Sequence, residues 1–385
     1  MSRRIFRALA GLLAALAPIL LGGAAGSLRS MDIAMNGVGR PAAAPAAAPA
    51  WEFDPAKPTA AILLGDTLSE ITDVLGPYAM FAASGRYNVA LAAADLTPRT
   101  LTGGVEALPQ RTFAQLDGLA GGPAIIVVPA IMDIAAPANR PALDWLRRRA
   151  AGGSIIFSWC TGAEVLAAAG LLDGKAATAH WADLGWLSER YPAVSWQRDV
   201  RYVDEGSILT SAGLTSGVDA TLHLLSRLHG PDLARQVAQA IRYPAQSFAA
   251  DPAAPAHRIA PADSVYPLNA AFYWPKRRLG LWLADGADEL ALAAVVDATS
   301  GSMTHEIVTL GPAPLIRTAG GALLLPRWHG AAPPAVDQLV VAGGAPPEPG
   351  MLATEEIITL DGAPGAPFAV EAALETIAAA HNGPT

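Results

Sequence analysis

The chain has 385 residues, of which 52% are hydrophobic and 16% charged, and its formal net charge is −8. Because one ordinary domain has roughly 100–200 residues, we expect two folded units. The acidic balance and the lack of long basic clusters argue against nucleic-acid binding, which needs a cationic face. The single cysteine, Cys160, excludes an internal disulfide and paired-cysteine metal motifs, and we expect no cofactor and no metal.

Residues 1–29 carry a targeting signal. Arg3, Arg4 and Arg7 precede an uncharged stretch over 8–26. This stretch is longer than the ~7–15 apolar residues of a cleavable signal peptide and just short of the ~20 that span a bilayer. A cleaved signal and a retained membrane anchor both stay open. Both predict export, either to the inner membrane facing the periplasm or as a secreted, periplasmic protein.

Two linkers divide the rest of the chain. The proline- and alanine-rich composition of 30–58 is typical of a semi-extended tether without a core of its own. A similar stretch at 246–276 forms a second linker. The predicted folded units are therefore 59–245 and 277–385.

The first unit alternates short apolar runs with amphipathic stretches. This alternation predicts an α/β fold, with a flavodoxin-like parallel sheet sandwiched by helices. The predicted strands are 59–65, 87–94, 124–130 and 153–159, and the predicted helices are 71–83, 140–150 and 161–169.

Cys160 lies where the strand 153–159 meets the following helix. There the N–H groups of the helix start would lower the pKa of the thiol, as suits a nucleophile. The sulfur would also point toward the carboxyl edge of the sheet, where open α/β sheets form ligand crevices. The alternative is a small buried thiol that acts as an inert hydrophobe.

The sequence CTGAEVLAAAGLLDGKAATAHW at 160–181, with RYVDEGSILTSAGLTSGVDATLHLL at 201–225, resembles the ThiJ/PfpI superfamily of class I glutamine amidotransferase-like folds. The resemblance extends from about residue 59 to 243. Within the superfamily it is closest to the isonitrile hydratases and the N-terminal domains of AraC-family regulators. No helix-turn-helix pattern follows, so we expect no direct binding to nucleic acid.

The resemblance implies a set of site residues. Cys160 would occupy a strained nucleophile elbow, and the acid of the TDVLGP motif, Asp73, would hydrogen-bond to it. Thr161 matches the threonine of the hydratase-like branch. His180 corresponds to a functional histidine of some members, and a structural histidine is its alternative. For Asp73 the alternative is a carboxylate that only caps its helix or faces solvent.

One departure from the family pattern concerns the loop after the strand 124–130. Family members usually have a Gly-Gly pair there, whose N–H groups can form an oxyanion hole. This chain has Ala130 and Ile131 instead. Because only glycine adopts positive φ without steric cost, the change puts the oxyanion hole in doubt.

The C-terminal unit resembles the first half of the first unit, so we predict a truncated second copy of the same α/β fold. Glu289 aligns with Glu70 at a separation of 219 residues, and Gly343 and Gly344 supply the missing Gly-Gly pair. Leu292 stands where the first copy has its acid, and this unit has no cysteine. A covering helix is predicted over 368–380. We expect this unit to pack on the first one or to mimic a dimer partner.

Three functions agree with these features. The first is a cysteine-dependent hydratase or hydrolase of a small electrophile, with Cys160 as nucleophile, Asp73 as general acid and base, and Thr161 in support. The second is a non-catalytic domain that binds or senses a small molecule. The third is an exported redox-sensing thiol. The expected partners are a small-molecule ligand, a membrane through the N-terminal segment, and a second copy of the chain in a homodimer.

Overall fold

The computed structural model describes residues 3–360, apart from 46–48, 214, 245–248, 256, 331 and 355. Helix α1 (Arg3–Asn36) precedes the two units, so the first residues of the predicted 30–58 linker are helical. Among the described residues, no helix is both long enough and apolar enough to cross a membrane. The helix predicted over 368–380 lies outside the described residues.

The first unit is built on a sheet of seven strands. Its described strands are β1 (Thr59–Leu63), β2 (Asn88–Ala93), β3 (Arg99–Leu101), β4 (Val105–Ala107), β5 (Arg111–Thr112), β6 (Ile125–Val128), β7 (Ile155–Ser158), β8 (Ala176–Ala177), β9 (Ser195–Trp196), β10 (Tyr202–Asp204) and β11 (Ile208–Ser211). The sheet order is β10-β11-β7-β6-β1-β2-β5, and only the β10 edge strand is antiparallel to its neighbour. β1 and β6 are apolar and fully buried, as expected for a parallel sheet covered on both faces.

Helices cover both faces of this sheet. They are α2 (Ile71–Ser84), α3 (Phe113–Asp117), α4 (Arg140–Ala151), α5 (Gly162–Ala168), α6 (Leu184–Arg190), α7 (Thr215–His229) and α8 (Pro231–Ala240). Helices α2, α7 and α8 pack on one face, and α3 to α6 contribute to a separate core on the other. All the strands and helices predicted for this unit are confirmed, with ends that differ by two residues or fewer.

The C-terminal unit contains a second parallel sheet. Its described elements are α9 (Val265–Phe272), β12 (Arg277–Trp282), α10 (Glu289–Ser302), β13 (His305–Gly311), β14 (Ile316–Arg317), β15 (Leu323–Leu325), β16 (Trp328–His329), β17 (Gln338–Val341) and β18 (Glu356–Thr359). Its order, β16-β13-β12-β17-β18, follows the same chain path as β5-β2-β1-β6-β7. The predicted 246–276 linker contains α9 and is therefore partly helical.

The two units share one hydrophobic core. Helix α10 packs along α2, and β15 pairs with β4 in antiparallel fashion, which joins two short hairpins into one sheet. A buried ion pair crosses the same boundary, with 2.6 Å between Arg327 Nη2 and Glu106 Oε1. The apolar cluster around α2 continues into β12 and α10 without a break. The C-terminal unit is therefore part of the environment of α2.

Candidate active site

Cys160 follows β7 directly and occupies a tight turn into α5. Its φ of 52° lies in the left-handed region, which costs energy for a residue other than glycine. Gly162, the first residue of α5, passes so close to the loop after β6 that a Cβ atom would lie 3.0 Å from the carbonyl oxygen of Pro129. The backbone therefore has the strained elbow geometry that the sequence predicts.

Trp159, the residue before Cys160, packs beneath the elbow against α2 and α7. Its side chain is fully buried, and two glycines make room for the indole. A Cβ atom on Gly76 would lie 2.9 Å from two ring atoms, and one on Gly217 would clash more severely. The glycine of the TDVLGP motif thus has a packing role beneath the cysteine, because it lets α2 approach the indole.

Asp73 lies in the first turn of α2 and is buried. Its Oδ2 atom accepts a hydrogen bond from the backbone N–H of Ala130, at 2.9 Å. Neither Ala130 nor Ile131 has positive φ in the structure. The loop therefore does not need glycine residues to reach positive φ, and the Ala130 N–H donates its hydrogen bond to Asp73.

Glu70 is a site residue that the sequence analysis did not assign to the site. It caps α2, with its Oε2 atom accepting a hydrogen bond from the Asp73 N–H at 2.8 Å. The Thr102 hydroxyl donates to Oε1 at 3.3 Å. The sequence did contain a signal, since Glu70 immediately precedes the predicted helix 71–83 and aligns with Glu289.

Thr161 and His180 share a third partner, Asp183. The Thr161 hydroxyl donates to Asp183 Oδ2 at 2.5 Å, and His180 Nδ1 lies 3.8 Å from the same oxygen. The Cys160 sulfur lies 3.8 Å from the Thr161 hydroxyl oxygen. Because that hydroxyl gives its hydrogen to Asp183, the thiol is the donor to Thr161. Asp183 was not predicted from the sequence.

A cavity of about 320 Å³ brings these groups together. Cys160, Glu70, Asp73 and His180 line it, and Thr161 lies beside the sulfur. Asp297 of α10 also lines the cavity, although it belongs to the C-terminal unit. Within the described residues, no three His, Cys, Asp or Glu side chains are grouped as metal ligands.

The electrostatics of the cavity favour protonated groups. Burial raises the pKa of the Cys160 thiol well above its usual value, and the charges of Asp73 and Glu70 raise it further. Burial also raises the pKa of Asp73 to about 7 and that of Glu70 well above its usual value. The prediction of a lowered thiol pKa is therefore wrong, because desolvation of the buried sulfur raises it most and the charges of Asp73 and Glu70 raise it further.

Comparison with known proteins identifies similar chains. Residues 58–227 match the model of the DJ-1/PfpI family. An isonitrile hydratase of Pseudomonas putida is 36% identical over 180 residues, covering 46% of this chain and 75% of that protein. The transcriptional regulator CdhR of Pseudomonas aeruginosa is 43% identical over 100 residues, covering 26% of this chain and 30% of the regulator.

A solved structure of a ThiJ/PfpI family protein from Pseudomonas syringae is also similar. It has 27% sequence identity and a TM-score of 0.43, and the match covers 52% of this chain and 81% of that one. A DJ-1beta structure from Drosophila melanogaster matches with 20% identity and a TM-score of 0.43, covering 49% of this chain and all of the other. The chain thus spans most of the hydratase but less than a third of CdhR.

Proposed function

Since the chain belongs to the DJ-1/PfpI family, we propose that it is a cysteine-dependent hydratase or hydrolase of a small electrophile with a carbon–nitrogen multiple bond. One observation carries this proposal: the strained Cys160 thiol and the buried Asp73 and Glu70 carboxyls line a single cavity. A nucleophile beside groups that hold exchangeable protons is the arrangement that such additions require. Isonitriles are the first substrates to test, because the hydratase relative is named for them.

The reaction follows from these groups for an isonitrile, R–N≡C. The sulfur of Cys160 bonds to the terminal carbon while its proton passes to an ionised carboxylate that lines the cavity. A carboxyl of Asp73 or Glu70 then delivers a proton to the same carbon, which leaves a thioimidate, R–N=CH–S. Water adds across the C=N bond, with its oxygen bonding to this carbon and one of its protons going to the nitrogen. The C–S bond then breaks as the C=O bond forms, and the hydroxyl proton returns to the sulfur. The product is the N-substituted formamide, and the net change is the addition of one water.

The test is to incubate the full chain with a small alkyl isonitrile and follow formamide formation by NMR. We expect turnover in the wild type and none in Cys160→Ala. Asp144→Asn, which changes an exposed acid of α4, serves as the control and should retain activity. If the wild type turns over no isonitrile and no other small substrate with a carbon–nitrogen multiple bond, the proposal is wrong.

A non-catalytic ligand-binding domain is the second candidate. The observation that favours it is the Ala130 N–H, which is bound to Asp73 and so is not free to stabilise an oxyanion. CdhR and other regulators are relatives over part of the chain. In this case Cys160→Ala would bind the same small molecules as the wild type. The raised thiol pKa disfavours a free thiolate, which the redox-sensor alternative requires, whereas the proposed addition passes the thiol proton to a carboxylate as the C–S bond forms.

For the C-terminal unit we propose a degenerate second copy of the family fold that takes the place of a partner subunit. The shared strand order, the α2–α10 packing and the β4–β15 pairing support this proposal. The full chain should then be monomeric by light scattering, whereas a homodimer would contradict it. Truncation at about residue 260 should abolish soluble expression of the first unit, because α2 would lose its cover.

For localisation we propose that α1 and α9 hold the protein on a membrane surface at the periplasmic side. Both helices expose apolar side chains: Leu20, Leu21, Leu28, Val265, Leu268 and Phe272. Cationic side chains lie beside these helices, since the Arg29 guanidinium and the Lys276 ammonium both lie over the Trp274 ring. Such pairs of basic and aromatic side chains are common at membrane interfaces.

Flotation with anionic lipid vesicles tests this placement. Wild type should float with the vesicles, and Leu268→Glu with Phe272→Glu should not. Leu228→Glu, an exposed apolar position on α7, is the control that should still bind. Equal flotation of the double variant would overturn the proposal.

A further inference from the structure

Asp297 reaches the Cys160 cavity from the C-terminal unit. The residue before it, Val296, packs against Gly103 so closely that a Cβ atom on this glycine would clash with it. Gly103 has a φ of 74° and belongs to the turn Thr102–Gly104, whose Thr102 hydroxyl donates to Glu70. The contact between α10 and this turn therefore places Asp297 on the side of the cavity that is lined by Glu70.

Tyr78 of α2 corresponds to Asp297 of α10, and its side chain extends from the first unit toward the C-terminal unit. Tyr78 precedes Asp297 by 219 residues, the separation that also relates Glu70 to Glu289. The Tyr78 hydroxyl lies beside Gly321 of the C-terminal unit and donates to Gln110 at 3.2 Å. Glu289 is near enough that its charge contributes to the raised pKa of this phenol. The Tyr78 side chain of α2 thus lies near Glu289 at the start of α10. The Asp297 side chain of α10 lies near Glu70, which caps the start of α2.

The two equivalent positions differ in chemistry, because α2 has a phenol at Tyr78 and α10 has a carboxyl group at Asp297. Asp297 faces Glu70 and Asp73 closely enough for its negative charge to raise the pKa of both. Burial raises its own pKa to about 6. The charged and titratable groups that line the cavity with it are Glu70, Asp73, Cys160, His180, Asp199, Arg201 and His257.

We propose that Asp297, which shares the cavity with Asp73 and Glu70, is a positioning residue of the Cys160 site whose carboxylate favours the proton-carrying acid forms of these two residues. The C-terminal unit thereby completes the site within one chain. The proposal deepens the proposed function, for which an acid must deliver a proton to the substrate. Its test does not depend on turnover, so the two can fail separately.

The test is an infrared titration of the full chain, which follows the C=O band of protonated carboxyls as the pH rises. The Asp73 contribution is identified as the part of the band that is missing in Asp73→Asn. In Asp297→Asn the midpoint of this contribution should move down by about one pH unit, a tenfold loss of proton affinity. Asp297→Ser, which also removes the charge, should move it in the same direction, and Asp297→Glu should restore it.

Tyr78→Phe is the matched control, because it alters the equivalent position on α2 and leaves the charge of the cavity unchanged. Its Asp73 midpoint should equal that of the wild type. An unchanged midpoint in both Asp297→Asn and Asp297→Ser would overturn the proposal. An equal shift in Tyr78→Phe would overturn it as well, since the effect would then come from the packing of α2 and α10.

Discussion

The Oδ2 atom of Asp73 accepts a hydrogen bond from the backbone N–H of Ala130, with 2.9 Å between oxygen and nitrogen. This bond links the first turn of α2 to the loop that follows β6. It offsets part of the cost of burying an acid, and it fixes the carboxyl beside the cavity that contains Cys160. The loop therefore positions Asp73, and it does so with Ala130 and Ile131 in place of a Gly-Gly pair.

Gly213→Ala should narrow the cavity without unfolding the protein. A Cβ atom at this position would lie 2.8 Å from His180 Cδ2 and 3.6 Å from the Cys160 sulfur. Gly213 lines the cavity, so the added methyl group would take up space there and displace the His180 ring. We therefore expect small-molecule binding to weaken by about tenfold, or about 1.4 kcal/mol. Titration calorimetry or ligand NMR measures this change.

The control is Gly185→Ala, where a Cβ atom would meet nothing within 4 Å. Adding His180→Ala to Gly213→Ala should restore binding, because the obstructing ring is removed. Unchanged affinity in Gly213→Ala would contradict the position of His180 in the cavity wall.

Gly76→Ala should destabilise the support beneath the elbow. The added methyl group would lie 2.9 Å from the buried Trp159 ring, and such overpacking costs about 1–3 kcal/mol. Urea unfolding measures the loss. Gly301→Ala in α10 has open space around it and should be neutral or stabilising by up to about 1 kcal/mol. Equal stability of Gly76→Ala and wild type would argue against this packing.

Arg327→Met should strongly destabilise the junction between the two units. Arg327 and Glu106 are only 3% and 2% exposed, and removing one partner of a buried ion pair costs about 3–5 kcal/mol. The exposed pair Arg235–Asp232 provides the control, and Arg235→Met should change the free energy of unfolding by less than about 1 kcal/mol. Adding Glu106→Gln to Arg327→Met should recover part of the loss; no recovery would contradict the role of the buried charge.

The stability of the protein should fall as the pH rises from about 4 to about 7. Over this range Asp73 is ionised in the unfolded chain but keeps its proton in the folded one, since its pKa is raised from 3.8 to about 7. The unfolded state then binds fewer protons, and each such group costs about 1.4 kcal/mol per pH unit. Asp73→Asn should reduce the slope of the dependence measured by urea unfolding at pH 5, 6 and 7. Parallel curves for the two proteins would show that Asp73 is not responsible.

The sequence predicted the local parts of the site well. An apolar run that stops at Cys160, followed at once by a helical pattern, is enough to locate the elbow. Asp73 of the TDVLGP motif and His180 both line the cavity. The predicted hydrogen bond between Asp73 and Cys160 is not observed among the described residues, since Asp73 Oδ2 accepts from the Ala130 N–H and the sulfur lies beside the Thr161 hydroxyl. These residues lie in or next to elements whose order along the chain determines where they meet.

The rest depends on contacts between distant segments. Asp297 could not be foreseen, because its place in the cavity follows from the packing of α10 on α2 and on the Gly103 turn. The direction of the thiol pKa shift was missed for the same reason. A helix start is visible in the sequence, whereas the desolvation and the two acids that outweigh it exist only in the folded structure.

The most direct test of the central claim is the pH dependence of Cys160 alkylation in the full chain, where it is the only cysteine. We predict that the wild-type thiol ionises above the ~8.5 of free cysteine. Asp73→Asn should lower this apparent pKa, since it removes a negative charge that disfavours the thiolate, and the exposed control Asp144→Asn should leave it unchanged. A wild-type thiol that ionises below that value, or one that does not respond to Asp73→Asn, would contradict a site in which buried carboxyls control the nucleophile.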